Sequence, residues 1–178
     1  MGWNDFNQFK SHGKTEVVAI CDVDSQRLAR ASKEVPDART YTDWRELLAA
    51  EEDKIDSVNV TVPDHMHFSI AMNAVQAGKH VYCQKPLCHD VAEVRELTRA
   101  TEKAGVKSQL GTQAAAGFGD RTFVHWVKSG VIGKIKRVVL CSNRPGAIEA
   151  YRFVGPRPAK PVKAPAHLNW DLWTGSAP

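Results

Sequence analysis

Alternation between strand-like and helix-like segments is the feature that most constrains the fold of this chain. Apolar, β-branched runs that predict buried strands cover residues 16–22, 56–62, 80–83 and 106–112. Each run is joined to the next by a segment with helical periodicity and short connections. Parallel strands joined by helical crossovers need both sheet faces covered, so the pattern predicts an α/β fold with a parallel sheet. The carboxyl ends of its strands should share one edge.

Aspartates precede the predicted helices, as expected of N-cap residues, whose carboxylates accept hydrogen bonds from the first backbone amides. These predicted caps are Asp24, Asp43, Asp64 and Asp90. Glu46 and Glu93 each follow an N-cap by three residues, which is the spacing of a capping box.

The character of the sequence changes after the fourth predicted strand. Residues 121–129 are predicted to form a helix and residues 134–142 a strand, and a proline-rich tail follows. Trp170 and Trp173 lie near the chain end, with no further predicted elements to bury them. This arrangement indicates a second domain that is cut short.

Composition excludes several classes of protein. Of the 178 residues, 43% are hydrophobic, which is enough for a buried core, and 25% are charged. The net charge of +4 includes no basic block with interleaved aromatic residues, so a nucleic-acid partner is not expected. No apolar run approaches the roughly 20 residues that cross a bilayer, so no membrane partner is expected.

The four cysteines have no CxxC spacing. They are Cys21, Cys83, Cys88 and Cys141. Most lie in or beside apolar runs, so we predict buried, reduced thiols and a reducing, cytoplasmic compartment, with Cys88 the more exposed. An export signal would lie upstream of residue 1, so export to the periplasm stays open.

Polar residues and prolines follow the predicted strands at their carboxyl ends. They are Asp22 after the first strand, Pro63, Asp64 and His67 after the second, Gln84, Lys85 and Pro86 after the third, and Gln113 after the fourth. Open α/β sheets bind ligands at this edge, so we expect these residues to line one crevice. An acid, a histidine, a lysine and two amides together indicate a small-molecule site.

Asp22 and His67 each have two interpretations. A carboxylate at the end of a buried strand can accept hydrogen bonds from two ribose hydroxyls and would repel a 2′-phosphate, which favours NAD over NADP. The alternative for Asp22 is a surface acid that begins a turn. His67 is either a donor facing a ligand or a buried histidine whose hydrogen bonds are satisfied. Helical spacing turns His65 and His67 apart and no third ligand follows, so no metal site is expected.

Lys85 is the strongest catalytic candidate. A lysine just past a buried strand, followed by Pro86, can hold its ammonium in a partly desolvated site and assist proton transfer to a substrate hydroxyl. The alternative is a solvated lysine before a turn proline.

These runs together resemble the Gfo/Idh/MocA family of NAD(P)-dependent oxidoreductases. The resemblance rests on VVAICDVD, on VTVPDHMHFSIAMNAVQAGKHVYCQKPLCHD and on GVKSQLGTQ. The family hallmark is a Glu-Lys-Pro tripeptide, which corresponds to Gln84-Lys85-Pro86 here. It implies a Rossmann-like doubly wound sheet in residues 1–115. It also implies that residues 116–178 begin a truncated second α/β domain, and that the full-length parent is a homo-oligomer.

The resemblance also implies roles for individual residues. Asp22 would contact the adenosine ribose, and Pro63, Asp64 and His67 would line the ribose and diphosphate of the cofactor. Lys85 would act beside the nicotinamide, with Pro86 fixing its approach. Gln113 would lie near the nicotinamide and the substrate. Gln84 would still offer its carbonyl to a hydroxyl, and Trp170 is a weak candidate for substrate contact.

The sequence departs from the family in three places. Gln84 stands where the family has Glu, so a negative charge beside Lys85 is lost and we expect weaker cofactor binding. The first strand and its glycine loop are missing, with Gly2 read as the last glycine of that loop. A downstream catalytic histidine is missing too. We therefore expect the chain alone to bind NAD poorly and to turn over nothing.

The resemblance and its departures together imply three alternative functions. The first is NAD-dependent oxidation or reduction at a hydroxyl-bearing carbon of a sugar, cyclitol or glycoside, assisted by Lys85. The second is glycoside cleavage by transient oxidation and elimination at the same site. The third is a non-catalytic nucleotide-binding module, which Gln84 favours.

Overall fold

The computed structural model describes residues 2–139 and 162–177. The chain forms two compact units. The first comprises residues 1–112 together with residues 164–178, and the second comprises residues 113–163. The assignment of residues 1–115 and 116–178 to two domains stays a prediction.

The first unit alternates strands and helices as the sequence predicts. Its elements are α1 (Gly2–Ser11), β1 (Ala19–Cys21), α2 (Ser25–Glu34), β2 (Arg39–Tyr41), α3 (Trp44–Ala50), β3 (Ser57–Val60), a 3₁₀ turn (Asp64–Met66), α4 (His67–Gln76), β4 (His80–Gln84), α5 (Val91–Ala104), β5 (Ser108–Gly111) and α7 (Trp170–Thr174). The predicted strands of this unit are present. Strands β1, β3 and β5 are shorter than predicted, β4 extends one residue further, to Gln84, and β2 was not predicted.

Two small parallel sheets form the Rossmann-like core of this unit. One has the order β1-β2 and the other the order β3-β4-β5, so β4 is central in its sheet. No strand pairing joins the two sheets within the part of the chain that the structure describes. The fold class is therefore confirmed, with sheets that are small and incomplete.

Apolar packing concentrates on the three-stranded sheet. Helix α4 contributes five of the eleven buried side chains in this cluster, more than any other element, and Leu97 of α5 joins them. The buried cluster consists of Val60, Met66, Ile70, Ala71, Met72, Ala74, Val75, Val81, Cys83, Cys88 and Leu97. Strands β1 and β2, by contrast, contribute no buried residue.

Capping follows the sequence at three of the four predicted positions. Asp24, Asp43 and Asp90 accept hydrogen bonds from first-turn amides of α2, α3 and α5, and Asp90 forms the full capping box with Glu93. The prediction for Asp64 was wrong, because it lies inside the 3₁₀ turn and makes no side-chain cap. Pro63 fixes the entry to that turn instead.

The second unit begins with a 3₁₀ turn (Gln113–Ala116) and α6 (Phe118–Ser129), which ends at Gly130. The predicted strand at 134–142 was wrong over residues 134–139, which are not in a strand. Residues 140–142, with Cys141, lie outside the described residues.

Candidate active site

Lys85 follows the last residue of β4, at the carboxyl end of the central strand. The Lys85–Pro86 peptide bond is cis, and both residues are exposed. The exposure of Lys85 differs from the partly desolvated environment expected for it. The ammonium is therefore presented to the outside of this unit, at the edge where parallel sheets bind ligands.

His67 supports this loop from within. Its side chain is 1% exposed, with Nδ1 2.6 Å from the carbonyl oxygen of Pro86 and Nε2 2.9 Å from that of Val62. Of the two interpretations of His67, the structure shows the buried histidine with hydrogen-bond partners, not a donor that faces a ligand. Both partners are carbonyl oxygens, which accept a hydrogen bond from a ring N–H. The ring joins the loop after β3 to the loop after β4.

Gln84 is held by a side chain that the sequence did not indicate. Its Nε2 donates to Oδ2 of Asp5 on α1 at 2.6 Å, and the hydroxyl of Thr61 donates to the same oxygen at 3.1 Å. Gln84 is 3% exposed and Asp5 is 2% exposed. The carboxyl end of β4 is thus fastened on one side by His67, through Pro86, and on the other by Asp5.

The carboxyl end of β1 carries Asp22 and Asp24. Asp22 is half-buried and its Oδ1 accepts a hydrogen bond from the Asp24 amide at 2.9 Å. Burial raises the pKa of Asp22, against the opposing effect of that amide and of Arg27. In Asp24, by contrast, burial is opposed by the amides of Arg27 and Gln26 and by His167, which together lower the pKa. Both acids therefore begin the turn into α2, and Asp22 is the one next to the strand.

Residues 164–177 return to this edge of the first unit. Asn169 donates its amide to the carbonyl of Val23 at 2.9 Å, and Asp24 forms a β-bridge with Leu168. His167 Nδ1 lies 3.2 Å from Asp24 Oδ1, an ion-pair distance without hydrogen-bond geometry. The segment therefore continues the β1 side of the edge, although it lies more than 140 residues further along the chain.

The same segment reaches the loop after β3. His65 Nε2 lies 3.0 Å from the carbonyl oxygen of Trp173, and Ser176 donates its hydroxyl to the carbonyl of His65 at 3.2 Å. Trp170 and Trp173 stack at 5.0 Å with both rings partly exposed. A flat aromatic surface therefore lies in the first unit, supported by the histidine that precedes Met66.

The structure does not bring all the predicted site residues into one unit. Gln113 begins the second unit, whereas Gly2, Asp22, Pro63, Asp64, His67, Gln84, Lys85, Pro86 and Trp170 belong to the first. Gly2 opens α1 beside Thr61, and Asp64 is exposed.

The three thiols that the structure describes give no sign of reactivity. Burial raises the pKa of Cys21 and Cys83 to about 12 and that of Cys88 to about 11. The prediction that Cys88 is more exposed was wrong, because its side chain is 5% exposed. Among the described residues, no group of His, Cys, Asp and Glu side chains could hold a metal ion.

Comparison with known proteins decides the family. The sequence model described as an oxidoreductase family with an NAD-binding Rossmann fold, GFO_IDH_MocA, matches residues 1–112. The chain belongs to the Gfo/Idh/MocA family. It is 35% identical over 103 residues to D-apiose dehydrogenase of Paraburkholderia graminis, covering 58% of this chain and 27% of that protein.

Other members of the Gfo/Idh/MocA family agree. Inositol 2-dehydrogenase of Salmonella paratyphi B is 30% identical over 121 residues, covering 67% of this chain and 35% of that protein. The crystal structure of myo-inositol 2-dehydrogenase from Lactobacillus plantarum superimposes with a TM-score of 0.70 at 28% identity, covering 75% of this chain and 40% of that one. The chain thus spans less than half the length of these relatives.

Proposed function

We propose that these residues contribute to NAD-dependent hydride transfer at a hydroxyl-bearing carbon of a sugar or cyclitol. Family membership supports the proposal, together with relatives named as dehydrogenases of apiose and inositol. The single observation that carries it is the fastening of the β4 end, where His67 and Asp5 hold the residues on either side of Lys85.

Fixed placement is what proton transfer requires of a lysine. The ammonium lies on a flexible four-carbon stem, so its position at a substrate depends on how well the backbone below it is held. The Lys85 ammonium would donate a hydrogen bond to the substrate oxygen. It would stabilise the negative charge that this oxygen gains when it gives up its proton to a general base. Bound NAD supplies the acceptor for the hydride.

The β1 end fits the adenosine ribose of NAD. Asp22 is a half-buried acid directly after the strand, and its carboxylate can accept from the two ribose hydroxyls. A 2′-phosphate would place further negative charge beside Asp22 and Asp24, so the proposed cofactor is NAD rather than NADP.

The remaining residues receive roles in the same proposal. Pro63, Asp64 and Gly2 would line the cofactor, Gln113 and Trp170 would approach nicotinamide or substrate, and His67, Gln84 and Pro86 would shape the loop that carries Lys85. Because His67 is buried with both ring nitrogens engaged, its proposed role is to support the loop.

Titration of the chain with NAD, followed through its backbone amide NMR signals, tests the cofactor site. We expect shifts that cluster after β1, β3 and β4. Asp22→Ala should weaken binding about tenfold or more, as for loss of hydrogen bonds to a charged group. It should also narrow the preference for NAD over NADP. Asp53→Ala is the matched control, because Asp53 is an exposed acid outside this edge.

Shifts absent from this edge at saturating NAD, or an unchanged affinity in Asp22→Ala, would overturn the proposed cofactor site. Turnover distinguishes the reaction types. Accumulation of reduced nicotinamide with a sugar or cyclitol supports net oxidation, whereas product release without it supports glycoside cleavage.

A further inference from the structure

Asp5 and Gln84 form a buried pair of one carboxyl and one amide directly behind Lys85. Gln84 is the residue before Lys85, and Asp5 lies 79 residues away in the sequence, on α1. The 2.6 Å contact between Gln84 Nε2 and Asp5 Oδ2 is supported by Thr61, whose hydroxyl reaches the same oxygen. Gln84 Nε2 and the Thr61 hydroxyl, which also lies 3.2 Å from Asn59 Oδ1, are therefore both within hydrogen-bond distance of a single carboxylate oxygen in a nearly solvent-free position.

This contact fixes the orientation of the Gln84 amide. A carboxylate only accepts hydrogen bonds, so the NH₂ group of Gln84 must face Asp5 and the amide oxygen must point away. That oxygen is buried and has no hydrogen-bond partner among the described residues. Without Asp5 the Gln84 amide could rotate by about 180° and exchange its oxygen and nitrogen positions. Asp5 therefore determines that the NH₂ group faces α1 and that the oxygen faces away from it.

Strand β5 makes room for the amide. Gly111 is the register partner of Gln84, and a Cβ atom at Gly111 would lie 2.8 Å from Cδ and Nε2 of Gln84. Strand β5 therefore carries no side chain where the amide lies. The Asp5–Gln84 pair therefore fills the space between α1 and β5 that the absence of a side chain at Gly111 leaves open.

We propose that Asp5 is a positioning residue for Lys85, and that it makes an amide the required side chain at position 84. A glutamate at position 84 would bring two carboxyl groups into hydrogen-bond contact, and two such groups do not both ionise at that distance. In this chain the carboxylate at the end of β4 belongs to Asp5 on α1, and Gln84 of the strand supplies the amide that is hydrogen-bonded to it. The link to Lys85 chemistry rests on the proposed function; the pairing itself does not.

A double-mutant cycle on the chain, followed by urea unfolding, tests the pairing. Gln84→Glu should lower the folding equilibrium constant at pH 7 by about tenfold or more, because a second carboxyl enters a buried site. The loss should shrink at pH 4, because the unfolded carboxyl groups are then partly protonated and the shared proton costs less. Asp5→Asn should cost a few-fold, because Asn can still accept from Gln84.

The exchanged variant, Asp5→Asn with Gln84→Glu, restores one carboxylate and one amide. We expect its folding constant to return to within a few-fold of wild type. Gln109→Glu is the matched control, because Gln109 is an exposed glutamine of β5, and it should change nothing. If Gln84→Glu does not fold at all, recovery in the exchanged variant still supports the pairing. Additive losses, or failure of the exchanged variant to fold, overturn it.

NAD affinity then tests the positioning role. Asp5→Asn should weaken NAD binding several-fold more than its effect on stability explains, and the exchanged variant should recover it. Equal affinity in wild type and Asp5→Asn overturns the positioning role while leaving the cofactor site intact. No NAD binding to the wild type overturns the proposed function instead, and the unfolding cycle still decides whether the pair determines residue 84.

Discussion

The two sheets of the first unit are stabilised in different ways. The β3-β4-β5 sheet packs against α4 and α5 through buried apolar side chains. The β1-β2 sheet has no fully buried residue in its strands and has buried polar contacts beside it. Chief among these is Glu51, fully buried after α3, which pairs with Arg39 and accepts a hydrogen bond from Tyr41 at 2.5 Å. Apolar packing is insensitive to pH, whereas this ion pair is not, so the sheets should respond differently to acid.

Removing apolar contacts from the three-stranded sheet should have the largest effect. Ile70 of α4 is 6% exposed in the buried cluster, and Ile70→Ala should lower the free energy of unfolding by about 3 kcal/mol through lost transfer energy and a residual cavity. Val91→Ala is the control, since Val91 is 66% exposed. Equal losses in the two variants, measured by urea unfolding, would contradict the assigned core.

His67→Ala should have the second largest effect. It should lower the free energy of unfolding by about 2 kcal/mol, because the carbonyls of Val62 and Pro86 would both lose a buried partner. It should also increase amide hydrogen exchange in the loop that carries Lys85. His89→Ala removes an exposed histidine and should leave both quantities unchanged. Unchanged exchange around Lys85 would show that His67 does not hold this loop.

Glu51→Gln should change the free energy of unfolding less than His67→Ala does. Its effect should fall on the pH dependence of stability that the two-stranded sheet is expected to cause. Hydrogen bonds from Arg39 and then Tyr41 lower the pKa of Glu51 to about 2 from 4.5. The folded state thus favours the carboxylate, so its stabilisation is complete above pH 4.5 and is lost as the pH falls toward about 2. The variant should be less stable at pH 6 and lose less stability on acidification. Parallel curves of unfolding free energy against pH would contradict this account.

Lys85→Ala should change stability least, by less than about 0.5 kcal/mol, because the side chain is exposed. Its effect should fall on turnover with a sugar or cyclitol substrate, measured as reduced nicotinamide in the assembled enzyme. Lys107→Ala, at an exposed lysine before β5, is the control. Full turnover by Lys85→Ala would remove Lys85 from the mechanism.

Much of the fold was predictable because its signals are local. Helices α2 and α5 are marked by their N-caps, and β4 by its apolar run, all within a few residues. Strand β2 was missed because it has only three residues, two of them exposed. Residues 134–139 carry the β-branched pattern of a strand yet are not in a strand, because such a pattern alone does not decide pairing.

The candidate site was predictable only as a set of positions. The sequence placed Asp22 and Lys85 after their strands, because parallel topology alone fixes that edge. It did not indicate Asp5, whose contact with Gln84 spans 79 residues and depends on the packing of α1. Only the unusual Gln84, in a place where Glu was expected, offered a signal that a compensating acid existed elsewhere.

The return of residues 164–177 to the first unit has a consequence for biosynthesis. Ser25 donates its amide to the carbonyl of His167, 142 residues later. Strands β1 to β5 emerge from the ribosome before this segment, so the edge beside Asp24 stays uncovered until synthesis passes residue 169.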